Sequence, residues 1–161
     1  MRGQVAIPPG LVETLEQIAP DLDAMAEDWW LIGSAALVLS GVNLGRVEDI
    51  DILTTPAGAA FLSERWGAAL TPAGPSDKFR SEVFLQRSDT PLPIDIMAGF
   101  EVNTAQGWQS VKPRTRVALA WLDGLYFAPS HVELADMLAL FGRPKDTERA
   151  EMLNAVPWNP V

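Results

Sequence analysis

Apolar residues recur at helical spacing near the start of the chain. They form one stripe with intervals of three and four residues, which is the pattern of an amphipathic helix: Leu11, Leu15, Ile18, Leu22, Met25 and Trp29. Pro20 interrupts this stripe, and proline removes a backbone donor and obstructs the preceding turn. Residues 1–28 are therefore predicted as an N-terminal helical segment, made of either one kinked helix or two short ones.

The next apolar pattern predicts a strand, a turn, a helix and a second strand. Residues 29–32 are a short apolar run typical of a buried strand, and residues 35–39 predict the following helix. Gly33 and Ser34 form the turn between them. Residues 49–52 then alternate Asp-Ile-Asp-Ile, so an extended strand would bury both isoleucines on one face and present both aspartates on the other.

Residues 57–66 predict another helix, which ends near Gly67. The Pro- and Gly-rich residues 71–77 predict a flexible rim. Residues 79–86 alternate as a strand, and residues 92–97 predict a strand that returns to the same sheet after a turn.

The last third of the chain predicts a hairpin and a helical end. Asp123-Gly124 lies between two apolar runs, which is a strong signal of a tight turn. Ser130 with Glu133 predicts a capping box at the start of a helix that ends at Gly142, and residues 130–156 are expected to be helical. His131 falls in the first turn of this helix, and we interpret it as a helix-surface residue because no second His and no Cys accompanies it.

These elements predict an α/β (α+β) fold with a mixed, largely antiparallel sheet and flanking helices. With 161 residues and 48% hydrophobic content, the chain is long enough for one well-buried domain, which we expect to span residues 1–161. No apolar run has the length of a membrane span, and no signal peptide is expected. Because Cys is absent, we expect a cytoplasmic protein without disulfides.

The charge of the chain argues against a general nucleic-acid binder. The net charge is −9 and the pI is near 4.5, which opposes the phosphate-neutralising surface that such proteins need. A local basic patch is still compatible with an acidic total. A small acceptor is therefore favoured over a long polynucleotide.

Asp49 and Asp51 are the strongest chemical signal in the sequence. Two carboxylates on one strand face can reach the same cation, and hard ions such as Mg²⁺ prefer oxygen ligands and substrate phosphates. Gly33 lets the backbone approach a ligand closely, and Ser34 offers a hydroxyl near a helix N-terminus, where phosphate is favoured. Taken singly, each pattern also fits ordinary structure: a helix N-cap at Ser34, and the polar face of an edge strand at the aspartates.

Together these residues resemble the DNA polymerase beta-like nucleotidyltransferases. In that family a hydrophobic strand, Gly-Gly or Gly-Ser, a helix and Asp-x-Asp occur in this order, and a third carboxylate follows on a later strand. Gly33-Ser34 and Asp49-Ile50-Asp51 match, and Asp95 within Ile94-Asp95-Ile96 is the candidate third carboxylate. The resemblance implies the nucleotidyltransferase fold, one or two Mg²⁺ ions, and a nucleoside triphosphate that donates its monophosphate to an acceptor hydroxyl. It also implies that Asp95 acts as base or metal ligand.

The resemblance implies further basic residues at the nucleotide. Arg80 is the first candidate and Lys78 the second, although either one also fits a solvated charge beside an acidic neighbour. Residues 142–146 resemble a turn of bacterial antibiotic nucleotidyltransferases and abortive-infection toxins, where it lies near the nucleotide. Lys145 is therefore a phosphate candidate, and the alternative is a plain helix-entry turn with Pro144 in its first position.

The chain also departs from those relatives, and this keeps a second interpretation open. Apolar residues 137–140 stand where a helix Lys is often found, Arg149 replaces a later Asp, and Val47 replaces a Ser or Thr. The alternative is therefore a catalytically weakened domain that binds a nucleotide or a protein partner, of toxin–antitoxin type. The acceptor (an antibiotic, a metabolite, a protein or a tRNA end), the donor base and the oligomeric state stay open.

Overall fold

The structure is a computed structural model that describes residues 7–73, 76–121 and 124–157. Helices and strands alternate as far as residue 73, and five further strands and two helices follow. In order they are α1 (Leu11–Ala24), β1 (Trp29–Ile32), α2 (Gly33–Leu39), β2 (Ile50–Thr54), α3 (Pro56–Trp66), β3 (Thr71–Ala73), β4 (Phe79–Arg87), β5 (Ile94–Thr104), β6 (Gly107–Ser110), β7 (Val117–Trp121), β8 (Gly124–Ala128), α4 (His131–Phe141) and α5 (Pro144–Asn154).

Six strands form the main sheet, in the order β1-β2-β5-β4-β3 with β6 paired to β5. β2 and β5 run parallel, and the other neighbours in this sheet run antiparallel. β7 and β8 form a separate antiparallel pair. The predicted fold class, a mixed and largely antiparallel sheet flanked by helices, is thus confirmed.

The alternation of β2 divides its side chains between two hydrophobic clusters. Ile50 and Ile52 are fully buried in the larger cluster, which also contains the apolar stripe of α1. Leu53 lies in a smaller cluster with Met137 and Phe141 of α4. Because side chains alternate along a strand, Asp51 shares the face of Leu53, and the carboxylate is directed to the side that α4 covers.

Of the two alternatives for the N-terminal segment, the structure has the single helix: α1 continues through Pro20, because the buried stripe of α1 packs on the core and outweighs one lost backbone hydrogen bond. Two other local predictions change. α2 begins at Gly33, two residues earlier than predicted. Asp49 immediately precedes β2, so only Asp51 of the pair is a strand residue.

The capping box predicted at α4 is only half formed. Ser130 Oγ accepts a hydrogen bond from the backbone N–H of Glu133 at 3.2 Å, as expected. The Glu133 carboxylate instead accepts from the backbone N–H groups of Arg114 and Thr115 and from the Thr115 hydroxyl. Glu133 therefore fixes the loop before β7 to α4, which is a tertiary role that local spacing does not reveal.

The predicted hairpin pairs as expected between β7 and β8, with Trp121 opposite Gly124, whereas Asp123 itself lies outside the described residues. The rim predicted at residues 71–77 contains β3, which pairs with β4. Within the described ranges, no helix is long and apolar enough to cross a membrane.

Candidate active site

Three aspartates meet where β2 and β5 begin. The parallel register sets Asp51 directly opposite Asp95, and Asp49 lies two residues before Asp51, immediately before β2. One carboxylate oxygen from each of the three lies within 4.8 Å of the others, and all three side chains are half-buried. In the part of the chain that the structure describes, no other three carboxylate or imidazole groups converge in this way.

The three carboxylates disturb one another electrostatically. The pKa of Asp51 is raised from 3.8 to about 7, first by burial and then by the neighbouring charges of Asp49 and Asp95, while Lys145 and Arg143 act in the opposite direction. A cation among them would relieve this repulsion, because an opposite charge favours the ionised form. An all-oxygen set of half-buried carboxylates fits Mg²⁺ in ligand type.

Asp95 has an additional partner that the sequence did not indicate. The Gln86 side-chain amide donates to Asp95 Oδ1 at 3.1 Å, across the antiparallel pairing of β4 with β5. Burial raises the pKa of Asp95, the Gln86 hydrogen bond lowers it, and the charge of Asp49 raises it. Gln86 thus holds one oxygen of Asp95 and fixes the orientation of its carboxylate. Gln86 lies beside Asp95 only because of the register of β4, which no local sequence pattern fixes.

Gly33 forms a wall of the carboxylate cluster. Its φ of 66° lies in the left-handed region, and a Cβ atom built on it would approach Asp51 Oδ2 to 2.9 Å. The chain therefore needs glycine here for two reasons, conformation and space. Ser34 follows in the first turn of α2, and no side chain caps this helix. The ordinary N-cap role considered for Ser34 is thus not realised.

The turn between α4 and α5 lies beside the cluster. Gly142 ends α4 in a left-handed conformation, and Arg143 donates to the fully buried carboxylate of Asp146 through Nε at 2.6 Å and Nη2 at 2.9 Å. Asp146 also accepts from the backbone N–H of Arg143. This pair fixes the turn, while the exposed Lys145 is close enough to the cluster to affect the pKa of Asp51.

The structure does not bring Arg80 and Lys78 to the carboxylates. Arg80 donates to Glu101 at 2.8 Å and stacks over the Trp108 ring at 4.3 Å. It lies six residues along β4 from Gln86, which corresponds to about 20 Å in an extended strand. Lys78 lies two residues further away, just before β4.

His131 lies in the first turn of α4, as the sequence predicts. Its Nε2 atom contacts the backbone carbonyl of Ser40 at 3.2 Å, just after α2. Desolvation by burial lowers the pKa of His131, and the Ser40 contact opposes this shift. This contact ties α4 to the end of α2 and so helps to hold the helices around the cluster.

A small cavity opens beside Gly33. Its apolar wall comes from α2 and α4, and its polar rim comes from the α4–α5 turn and α5: Leu37, Leu134, Met137, Leu138, Phe141, Arg143, Asp146 and Arg149. Two of the residues that stand where a helix Lys was expected, Met137 and Leu138, form part of that apolar wall. Helix α4 therefore lines the cavity with apolar side chains, where the resemblance implied a Lys.

Comparison with solved structures gives the same architecture. The chain superposes on a Thermotoga maritima protein classed as a nucleotidyltransferase, TM1012, with a TM-score of 0.70 at 21% identity, over 92% of this chain and 93% of that one. The lincomycin-bound lincosamide antibiotic adenylyltransferase LnuA gives 0.58 at 16% identity, over 89% and 96%. An antigenic nucleotidyltransferase-like protein from Paracoccidioides brasiliensis gives 0.52 at 17% identity, over 94% and 79%.

No family model matches the sequence, and no curated protein matches it by sequence. At these identities the structural likenesses show the fold, which is that of nucleotidyltransferases.

Proposed function

We propose, starting from a fold that this chain shares with nucleotidyltransferases, that the protein transfers a nucleoside monophosphate from a nucleoside triphosphate to an acceptor hydroxyl. The observation that carries the proposal is the convergence of Asp49, Asp51 and Asp95, with one oxygen from each within 4.8 Å of the others. A fold that had lost catalysis would have no need for three mutually repelling, half-buried carboxylates, because unrelieved like charges reduce stability.

Each residue of the site has a defined part in this reaction. Asp49, Asp51 and Asp95 would hold one or two Mg²⁺ ions, which would supply charge stabilisation for the α-phosphate and the departing pyrophosphate. Gly33 lets the donor phosphates approach the backbone, and the Ser34 hydroxyl and Lys145 donate to them. Arg80 and Lys78 are left out of this set because of their distance along β4.

We assign to Asp95 the role of accepting the proton of the acceptor hydroxyl. The acceptor oxygen forms a bond to the α-phosphorus as the bond from that phosphorus to the bridging oxygen breaks, and pyrophosphate leaves. The hydroxyl proton passes to the Asp95 carboxylate, whose raised pKa suits proton transfer. Most of the rate gain then comes from positioning and charge stabilisation, as expected where no covalent intermediate forms.

The first test is Mg²⁺-dependent nucleotide binding. Wild-type protein is titrated with ATP and GTP by calorimetry, with and without Mg²⁺, alongside Asp49→Ala and Asp51→Ala. We expect binding that requires Mg²⁺ and is lost in both variants. If the wild type binds no nucleoside triphosphate in a Mg²⁺-dependent manner, the proposal is wrong.

The second test separates the enzyme from the alternative of a nucleotide- or partner-binding module. Protein with Mg²⁺ and α-labelled triphosphates is incubated with hydroxyl compounds, proteins and tRNA, and lincomycin is included because LnuA binds it. The enzyme releases pyrophosphate and labels one acceptor class in proportion. A binding module binds the nucleotide but releases no pyrophosphate.

Lys145 and Arg80 make a matched pair for the phosphate assignment. Both substitutions to Ala remove one positive charge, but only Lys145 lies near the carboxylates. Lys145→Ala is expected to weaken triphosphate binding by roughly tenfold, the size of one charge-assisted hydrogen bond. Arg80→Ala is expected to leave the affinity unchanged, and equal losses in both variants would contradict the assignment.

A further inference from the structure

Arg149 is a half-buried cation without a counterion among the residues that the structure describes. It lies on α5 and lines the cavity beside Gly33. Across the described ranges, its side chain makes no hydrogen bond and no ion pair. Charged side chains removed from water are normally paired, because desolvation is costly. An unpaired arginine at the rim of a cavity therefore indicates a place for an anion.

The other charges of the cavity do not satisfy Arg149. Arg143 and Asp146 neutralise each other through two side-chain hydrogen bonds of 2.6 and 2.9 Å. Asp146 is fully buried and also accepts from a backbone N–H. The remaining walls are apolar side chains of α2 and α4, so the cavity carries one unmatched positive charge in a protein whose net charge is −9.

Gly33 lies between the cavity and the carboxylate cluster. Gly33 lines the cavity, and the same residue closely approaches Asp51 Oδ2. Lys145 precedes Arg149 by four residues on α5, and residues at this spacing lie on one side of a helix. An anion that extends from the carboxylates past Gly33 thus meets Lys145 first and Arg149 next.

We propose that Arg149 binds the outer phosphates of the donor triphosphate, and the pyrophosphate that leaves. The guanidinium fork suits this ligand, since it can give two parallel hydrogen bonds to one phosphate group. In this position Arg149 supplies the positive charge that α4 does not, since Met137 and Leu138 form its cavity wall. The inference rests on the proposed function and adds a residue to it.

The test uses ligands that separate phosphate from base. Wild type, Arg149→Gln and Arg149→Lys are titrated with Mg²⁺ and non-hydrolysable ATP and GTP analogues, with Mg²⁺ and inorganic pyrophosphate, and with Mn²⁺ alone. Arg114→Gln is the matched control, because it makes the same charge change at an exposed arginine outside the cavity. Mn²⁺ binding reports whether each variant retains the folded carboxylate cluster.

We expect Arg149→Gln to weaken the binding of triphosphate and pyrophosphate by about tenfold or more, as for one lost hydrogen bond to a charged group. Arg149→Lys, which keeps the charge, should lose less, and Mn²⁺ affinity should stay within about twofold of the wild type in both, because neither change touches a carboxylate. Arg114→Gln should bind like the wild type.

Two outcomes would overturn the inference while the proposed function stands. One is wild-type triphosphate affinity in Arg149→Gln, and the other is an equal loss in Arg114→Gln and Arg149→Gln, since the loss would then not be specific to the cavity. If the wild type binds neither triphosphate nor pyrophosphate with Mg²⁺, the proposed function itself fails. The wild-type titration therefore distinguishes the two failures.

Discussion

Replacing Asp51 by Asn is predicted to stabilise the metal-free protein. The pKa of Asp51 is raised from 3.8 to about 7 by burial and by two neighbouring carboxylates. A carboxyl group with a raised pKa in the folded state contributes its stability below the unfolded pKa and loses it as the pH rises through the folded pKa. At pH 8 the wild type therefore retains a buried, repelled charge, and Asn removes that charge with almost no change of shape.

The size of the effect follows from the shift. The pKa of Asp51 is about 7 in the folded state and 3.8 in the unfolded state. Ionisation of Asp51 therefore lowers the free energy of unfolding by about 1–2 kcal/mol at pH 5 and by about 4 kcal/mol at pH 8. Both figures are upper values, because the carboxylate is partly exposed to water, which screens its charge. Asp51→Asn should thus raise the free energy of unfolding, and this gain should be about 2–3 kcal/mol larger at pH 8 than at pH 5.

The assay is urea denaturation of both proteins at pH 5, 6, 7 and 8 in the presence of a chelator. Asp136→Asn, an exposed change on α4, is the control and should show no pH-dependent difference. Adding Mg²⁺ at pH 8 should stabilise the wild type and leave Asp51→Asn unchanged, since the ion binds the ionised carboxylates of the folded state. If Asp51→Asn gains no more at pH 8 than at pH 5, the electrostatic reasoning is refuted.

Substitutions at three further positions test the walls of the site. Gly33→Ala should lower the free energy of unfolding by about 1–2 kcal/mol from left-handed strain alone and abolish Mn²⁺ binding, because its methyl group displaces the Asp51 carboxylate; unchanged Mn²⁺ affinity in calorimetry would contradict this. Gln86→Leu should weaken Mn²⁺ binding by about tenfold, the equivalent of one hydrogen bond that holds Asp95, whereas Gln86→Asn tests whether a shorter amide restores part of it. Asp146→Ala should lower the free energy of unfolding, measured by urea denaturation, by about 3 kcal/mol, because it leaves the partly buried Arg143 unpaired. A decrease below about 1 kcal/mol, which is typical of a surface ion pair, would show that the pair is solvated.

The carboxylate part of the candidate site could be predicted because it depends on local alternation. In a strand, Asp51 and Ile52 must point to opposite faces, so the polarity of each position indicates which side faces the core. The Gly33-Ser34 turn is equally local. Asp95 was found by the same alternation together with the resemblance.

The remaining features depend on pairings between distant segments. Gln86 joins the site because β4 pairs antiparallel with β5 in one particular register, and a shift of one residue would turn its side chain away. The same register sets Arg80 opposite Glu101, six residues along β4 from Gln86. Glu133 matches a capping pattern but binds a loop eighteen and nineteen residues earlier, and α1 continues through Pro20 because tertiary packing holds it.

The parallel pairing of β2 with β5 also determines when the site forms during folding. Asp49 and Asp51 belong to a local strand-turn-helix-strand unit, but Asp95 reaches them only after α3, β3 and β4 have been made. Contacts between residues far apart in sequence close long loops and form slowly. A nascent or truncated chain that ends before β5 would carry two of the three carboxylates and bind metal weakly. The complete triad thus reports that the central sheet has been assembled.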